Sequence, residues 1–346
     1  MKKKKIVLAY SGGLDTSVIL HWLKAEYNAD VIAYIADLGQ GEDLKLAAKR
    51  AKQVGATKVY VEDLKKEFIN DFIYPMIQSS AIYEGTYLLG TSIARPLIAK
   101  RQIEIANKEK AFAVSHGSTG KGNDQVRFEL AFHALNPKIE IISPWRVWNY
   151  KSREDCIEYA KKNKIPITVT KQKPYSCDRN IFHVSYEGGI LEDPWAEPPD
   201  SMFETVRPLS KSLNKPSKII LSFKDGIPIR FNGKRIDGVN LFRQLNKLAG
   251  KHGIGVVDIV ENRFVGMKSR GVYETPGGTV LNIAHRAVES LTMDREVMHI
   301  RDSLVPKISQ LIYNGFWFSP EMRVLLSFIK ESQKNVTGDV RLMLYK

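Results

Sequence analysis

Ala9-Tyr10-Ser11-Gly12-Gly13-Leu14-Asp15-Thr16-Ser17 is the stretch that decides how this sequence folds. It follows an apolar, β-rich run over residues 6–10 and leads into residues 16–26, whose apolar positions recur at helical spacing. Two glycines at a strand-to-helix junction let backbone N–H groups come close to an anion, and Ser11, Thr16 and Ser17 add hydroxyl donors. The free N–H groups at the start of the following helix point the same way. The sequence has no GxxxxGK[ST] and no GxGxxG, which disfavours the Walker-type and dinucleotide-binding classes. A purely structural reading remains, a glycine turn followed by a helix with Asp or Thr as its N-cap.

Outward from this stretch the same alternation repeats. Strands are expected over 31–36, 58–61, 112–115 and 139–142, and helices over 43–54, 93–108, 124–135 and 153–162. Strand and helix in strict alternation predict a doubly wound α/β domain with a parallel sheet covered on both faces. The pattern breaks over 165–174, and a region rich in proline, serine and acidic residues follows over 191–216, so the domains are drawn as 1–170 and 171–346. In the second, paired strands are expected over 218–223 and 227–231, with Asn232-Gly233 as a hairpin turn. A helix over 241–252, a strand over 256–260, a long helical stretch over 279–314 interrupted at Pro306, and a helix after Pro320 complete an α+β domain.

The 346 residues, 43% hydrophobic and 26% charged, have the composition of a soluble globular protein of two domains. Lys2–Lys5 and the apolar run after them superficially resemble a secretory leader, but Ser11-Gly12-Gly13 cuts that run short. With no run of about 18 apolar residues either, the expected location is the cytoplasm and no membrane contact is expected. Cys156 and Cys177 are in neither CxxC nor zinc spacing and are expected to be reduced, Cys156 on the apolar side of a helix. The seven histidines show no metal-ligand spacing. The net charge of +14 favours anionic partners, nucleic acid or a nucleotide triphosphate alike, and does not choose between them.

A second polar loop, Ser115-His116-Gly117-Ser118-Thr119-Gly120-Lys121-Gly122-Asn123-Asp124-Gln125-Val126-Arg127, again lies between a strand and a helix. Asn123, Asp124 and Arg127 project from the start of that helix, Arg127 one turn beyond Asn123.

The SGGxDxS pattern of residues 11–17 resembles the PP-loop of ATP pyrophosphatases, which hold the β,γ-pyrophosphate while an acceptor oxygen attacks the α-phosphate. Several longer blocks also match: Tyr87-Leu88-Leu89-Gly90-Thr91-Ser92-Ile93-Ala94-Arg95-Pro96, Tyr175-Ser176-Cys177-Asp178, His183-Val184-Ser185-Tyr186-Glu187, Asp258-Ile259-Val260-Glu261-Asn262-Arg263, and Gly266 through Gly278. With the two loops, these make the sequence similar to the argininosuccinate synthase family over nearly its whole length.

That resemblance implies an ATP-dependent ligase joining citrulline to aspartate through an adenylated intermediate. It implies ATP binding by Ala9, Tyr10, Ser11, Gly12, Gly13, Leu14, Asp15, Thr16, Ser17, Ala36 and Gly117, with Mg2+ accompanying the pyrophosphate. It implies aspartate binding by Thr119, Asn123 and Asp124, and citrulline binding by Tyr87, Ser92, Asn123, Arg127, Ser176, Ser185, Glu261 and Tyr273. Chemistry supports this division. Arg127 offers a cation for an amino-acid carboxylate, while Glu261, Ser176, Ser185 and Tyr273 offer acceptors for its N–H groups. Asp124 is the candidate for positioning or deprotonating the attacking amine.

The resemblance further implies a homotetramer and no nucleic-acid partner. Family members continue past the segment corresponding to 340–345 into a C-terminal helical arm; the sequence stops at Lys346, so the expectation is that this arm is absent. The alternative class is a tRNA-modifying PP-loop enzyme of the lysidine synthase or thiouridylase type, for which the +14 charge speaks. Against it, Cys156 and Cys177 make a poor sulfur relay.

Overall fold

A computed structural model describes residues 3–120, 122–150, 152–166 and 175–346. The chain forms two compact units: Met1–Leu64 with Arg95–Gln172, and Lys65–Ala94 with Lys173–Lys346.

The first unit is built on a five-stranded parallel sheet, β1 (Lys5–Ala9), β2 (Asp30–Asp37), β3 (Lys58–Asp63), β4 (Ala113–Ser115) and β5 (Glu140–Ile142), in the order β3-β2-β1-β4-β5. The chain winds outward from β1 to β3 and then returns to the other side of β1. The ends of β1 and β4 therefore flank the point where the strand order reverses, which is where α/β sheets bind ligands. Ile6, Val7 and Leu8 of β1 and Val31–Ile35 of β2 are buried, as continuous apolar runs in a sheet covered on both faces should be. Helices Leu14–Glu26, Leu44–Val54 and Arg153–Lys162 bury Val18, Leu20, Leu23, Ala47, Ala51, Cys156 and Ala160 in the same core as that sheet. Burial pushes the Cys156 thiol up to about 12, so it is an inert core group.

The second unit contains two four-stranded sheets. One has the order β11-β12-β7-β6, from β6 (Ser176–Arg179), β7 (Val184–Glu187), β11 (Val256–Asn262) and β12 (Lys268–Glu274). The other has the order β10-β9-β8-β13, from β8 (Ser217–Lys224), β9 (Ile227–Phe231), β10 (Lys234–Arg235) and β13 (Gly338–Leu344). All their pairings are antiparallel. Asn232 and Gly233 both have positive φ, +49° and +80°, and form the expected hairpin turn between β9 and β10.

The structure departs from the sequence expectations in several places, among them strands β6, β7 and β12, which the sequence reading did not include. Residues 65–94 cluster with the second unit, whereas a division at 170/171 puts them in the first; residues 167–174, where that boundary falls, lie outside the described ones. The helical run over 65–78 accounts for the clustering: Phe72 stacks on Trp317 at 5.2 Å, and Gly238 leaves room for Ile69 and Tyr74.

The long stretch expected over 279–314 is two helices, Pro276–Thr292 and Arg295–Asn314, and it breaks at Met293-Asp294. The Asp294 carboxylate accepts from the N–H groups of Glu296 and Val297 and starts a new helix there. Pro306 sits inside that second helix. A further departure is β13, which pairs along β8 over its whole length; no strand was expected there.

Candidate active site

The first loop leaves β1 at Ala9 and is shaped by its neighbours. Gly12 has φ +83°, and a Cβ there would lie 2.8 Å from Cβ of Ala47, so only glycine lets the backbone rest on helix Leu44–Val54. One turn on in that helix, Arg50 donates to the Gly12 carbonyl. In a planar trans peptide the C=O and the following N–H point opposite ways, so this bond turns the Gly13 N–H away from Arg50. The hydroxyls are paired within the loop: Tyr10 with Ser17 at 2.8 Å, Ser11 with Thr16 at 3.0 Å, and Ser17 donating to the Gly13 carbonyl at 2.7 Å.

Gly13 is the N-cap of helix Leu14–Glu26 and no side chain caps it. The capped-helix reading of this stretch therefore fails, since neither Asp15 nor Thr16 is the cap. The first-turn N–H groups remain available to an anion. Ala36 lies near the carboxyl end of β2, its carbonyl accepting from the Gln40 amide. Burial raises the Asp15 carboxyl, with Arg153 pulling in the opposite direction.

The second loop closes on the first. A Cβ on Gly117 would lie 2.8 Å from Cγ2 of Thr16, and the Gly117 carbonyl accepts from the Trp145 indole at 3.1 Å. Helix Asn123–Leu135 also begins on a glycine, Gly122, with no side-chain cap. Thr119 is exposed and Asn123 half-buried. Asp124 is flanked by two guanidinium groups, Arg95 at 2.7 Å and Arg127 at 2.9 Å. Burial acts to raise its carboxyl, but Arg95 and then Arg127 outweigh it and hold the group well below the usual carboxylate range.

In the second unit a separate cluster forms around the sheet of β6, β7, β11 and β12. Glu261, 5% exposed, accepts from Tyr273 Oη at 2.9 Å on one oxygen and from Tyr313 Oη at 2.7 Å on the other. Tyr273 stacks on Tyr87 with centroids 4.3 Å apart, and burial, followed by Tyr87 and Glu261, raises its phenol so that it stays a donor. Ser185 pairs across the sheet with Tyr273 and accepts from Thr91 Oγ1 at 3.2 Å. Thr91 also lies 3.2 Å from Nε2 of His183, whose Nδ1 lies 3.1 Å from Thr275. Ser92 Oγ is buried with no hydrogen-bond partner among the described residues, and Ser176 is exposed on the edge strand β6.

Two family models divide the chain between them: an arginosuccinate synthase N-terminal HUP domain matches residues 5–166, and an arginosuccinate synthase C-terminal domain matches residues 175–346. The chain belongs to the argininosuccinate synthase family. The argininosuccinate synthase of Geobacter sp. strain M21 is 59% identical over 343 residues, covering 99% of this chain and 84% of that protein. Those of Geotalea daltonii, at 60% over 343 residues, and Syntrophus aciditrophicus, at 59% over 345, cover 99% of the chain and 84% and 86% of their own lengths. A solved U34-tRNA thiolase NcsA from Methanococcus maripaludis is 18% identical, covering 51% of this chain and 61% of its own, with a TM-score of 0.32, too low to carry an argument.

Argininosuccinate synthases are ATP-dependent ligases, and the division of this chain into a HUP domain and a second, largely antiparallel domain is theirs. The structure assembles the sequence-derived residues in two groups. Residues 9–17, Ala36, Gly117, Thr119, Asn123, Asp124 and Arg127 belong to the first unit, and Tyr87, Ser92, Ser176, Ser185, Glu261 and Tyr273 to the second.

Residue-by-residue reading missed Arg50, Arg95, Thr91, His183, Gly271 and Tyr313. Thr91, Arg95, His183 and Gly271 lie inside the matched blocks, where their presence was the only signal. Tyr313 lies in a helical stretch whose pattern reads as packing alone.

Proposed function

We propose that this protein catalyses ATP + citrulline + aspartate → argininosuccinate + AMP + pyrophosphate by way of citrullyl-AMP. The observation that carries this is a family match across both halves of the chain, with an uncapped glycine loop at the sheet's reversal point. In the first step the citrulline ureido oxygen forms a bond to the α-phosphorus and the bond to the β-phosphate oxygen breaks, releasing pyrophosphate. The first-turn N–H groups after Gly13 and the Ser11 and Thr16 hydroxyls would hold that pyrophosphate. In the second step the aspartate ammonium loses a proton to solvent and the free amine forms a C–N bond to the ureido carbon. AMP leaves with the C–O electron pair, and the nitrogen's surplus proton passes to solvent.

Among the described residues no group of three or more His, Cys, Asp or Glu side chains could hold a metal ion. Magnesium in this reading enters as the MgATP complex, with phosphate and water oxygens as its ligands. Bound there, magnesium would neutralise charge on the leaving pyrophosphate.

Asp124 is a weak base between Arg95 and Arg127, and its role in this reading is positional: it orients both guanidiniums and leaves an acceptor for the aspartate ammonium. Asp124→Asn should raise the KM for aspartate more than tenfold while citrulline-dependent adenylate formation continues; unchanged aspartate capture would count against the role.

Family resemblance also supports a homotetramer, which light scattering on the purified chain tests. A cytoplasmic location is part of the same reading; among the described residues no helix is long and apolar enough to cross a membrane. The deciding measurement is pyrophosphate release from MgATP with citrulline, with and without aspartate. Release that requires citrulline, followed by argininosuccinate and AMP once aspartate is added, supports the reading. Release stimulated by tRNA in place of citrulline would overturn it in favour of the tRNA-modifying alternative.

A further inference from the structure

We infer that Tyr313 is a positioning residue of the citrulline site, holding the carboxylate of Glu261 from the side opposite Tyr273. The inference rests on the proposed citrulline reading of Glu261.

A glutamate carboxylate turns freely about its terminal torsion, and a hydrogen bond to one oxygen leaves it free to swing about that bond. Here the two oxygens are held separately. Tyr273 donates to one at 2.9 Å from the adjoining strand β12, and Tyr313 donates to the other at 2.7 Å from the last turn of helix Arg295–Asn314. Two donors from two elements fix the plane of the carboxylate, so its remaining lone pairs face a set direction.

Tyr313 is itself placed with little freedom. It is fully buried, and its ring stacks on Tyr83 with centroids 3.8 Å apart and planes 7° from parallel. The edge of the same ring system meets Tyr87, a residue of the proposed citrulline site, at 6.3 Å. Tyr83 is in turn tethered, its hydroxyl donating to the backbone carbonyl of Asn262, next to Glu261. Helix, loop and strand thus converge on one carboxylate, and the hydroxyl of Tyr313 is the helix's contribution.

Tyr313→Phe removes that hydroxyl and keeps the ring stack. With the full chain and pyrophosphate release as the assay, the KM for citrulline is expected to rise about tenfold, as for loss of a hydrogen bond to a charged group. The KM values for ATP and aspartate should stay within about twofold, and kcat within about threefold. Tyr273→Phe should shift the same constant in the same direction, and the double variant should exceed either.

Three results overturn the inference. One is an unchanged KM for citrulline, and another is a parallel rise in all three KM values. The third is loss of the cooperative melt in Tyr313→Phe, which would make the hydroxyl a support of the fold. In each of these the unsubstituted protein still releases pyrophosphate with citrulline. If the unsubstituted protein itself shows no citrulline-dependent release, the functional reading falls and takes this inference with it.

Discussion

Tyr273 reaches Glu261 by lying along its own strand over position 271, where a Cβ would sit 2.2 Å from its hydroxyl oxygen. Gly271 is therefore needed for the space it leaves, in a conformation that any residue could adopt. Gly271→Ala should displace the Tyr273 phenol from the carboxylate and raise the KM for citrulline about tenfold or more. Its effect on melting should be smaller than that of a substitution in the apolar core. Steady-state kinetics with each substrate varied in turn checks this, and an unchanged citrulline constant would count against the geometry.

At this scale the sequence was legible where chemistry and spacing coincide. The glycine turn of residues 11–17 between a strand and a helix read directly, since its junction position and composition are both local. Gly271 and Tyr313 were not legible, because each matters through a neighbour, Tyr273 for the one and Glu261 for the other, that only the folded sheet and helix bring to it.

The elements of the second unit are tied together by polar groups as well as by apolar packing. Glu274, at the end of β12, is fully buried and accepts from the N–H groups of Glu204, Thr205 and Val206, from the Thr205 hydroxyl and from Tyr186. A carboxylate has the acceptor capacity for such a set, and an amide presents two donors to it instead. Glu274→Gln should cost about 3 kcal/mol of stability, with the segment around 204–206 released first. Urea denaturation measures the loss, and hydrogen exchange locates it.

The parallel sheet and its helices were legible because each follows from periodicity and a nearby turn, and Asn232-Gly233 announced its hairpin. The helix break was placed wrongly. A proline at 306 is a stronger written signal than an aspartate at 294, yet the Asp294 cap provides two hydrogen bonds and starts a new helix. Strand β13 owes its existence to pairing with β8, more than a hundred residues earlier, which local pattern does not record.

The whole second unit shares a buried ionic centre. Arg301 and Glu289 are both fully buried and joined by two 2.7 Å hydrogen bonds, with Gln333, Ser80 and the carboxylate of Asp302, 2.9 Å from Arg301 Nε, among their further partners. Residues from the 65–94 segment and from the last helices meet there, which no single stretch of sequence reveals. His285 lies beside this centre, its Nε2 2.8 Å from Gln333 and its Nδ1 3.7 Å from Glu289, with Arg301 and Arg286 also facing it. Burial lowers its pKa despite Glu289, so the folded state keeps the ring neutral.

The unfolded chain takes up that proton near its ordinary value of about 6.5. Stability from this source is therefore complete above about pH 6.5 and declines as pH falls through it. The melting temperature should drop between pH 7.5 and 5.5, and His285→Gln should reduce that drop; His21, also lowered by burial, accounts for some of the remainder. A drop of the same size in the variant would rule His285 out as its source.

The division of the chain also bears on synthesis. Residues 65–94 leave the ribosome before residues 95–172 of the first unit, yet they cluster with residues made later. Phe68, Ile69, Phe72, Ile73, Met76 and Ile77 are all buried in the finished protein. Their partners emerge later: Gly238, against which Ile69 packs, comes about 140 residues after Ala94, and Trp317, which stacks on Phe72, about 220 residues after it, a wait on the order of 7 to 45 s at about 5–20 residues per second. Throughout that interval a nascent chain with its first unit already closed carries an apolar segment with nowhere to dock. This is the window in which a chaperone that grips short hydrophobic stretches should engage it.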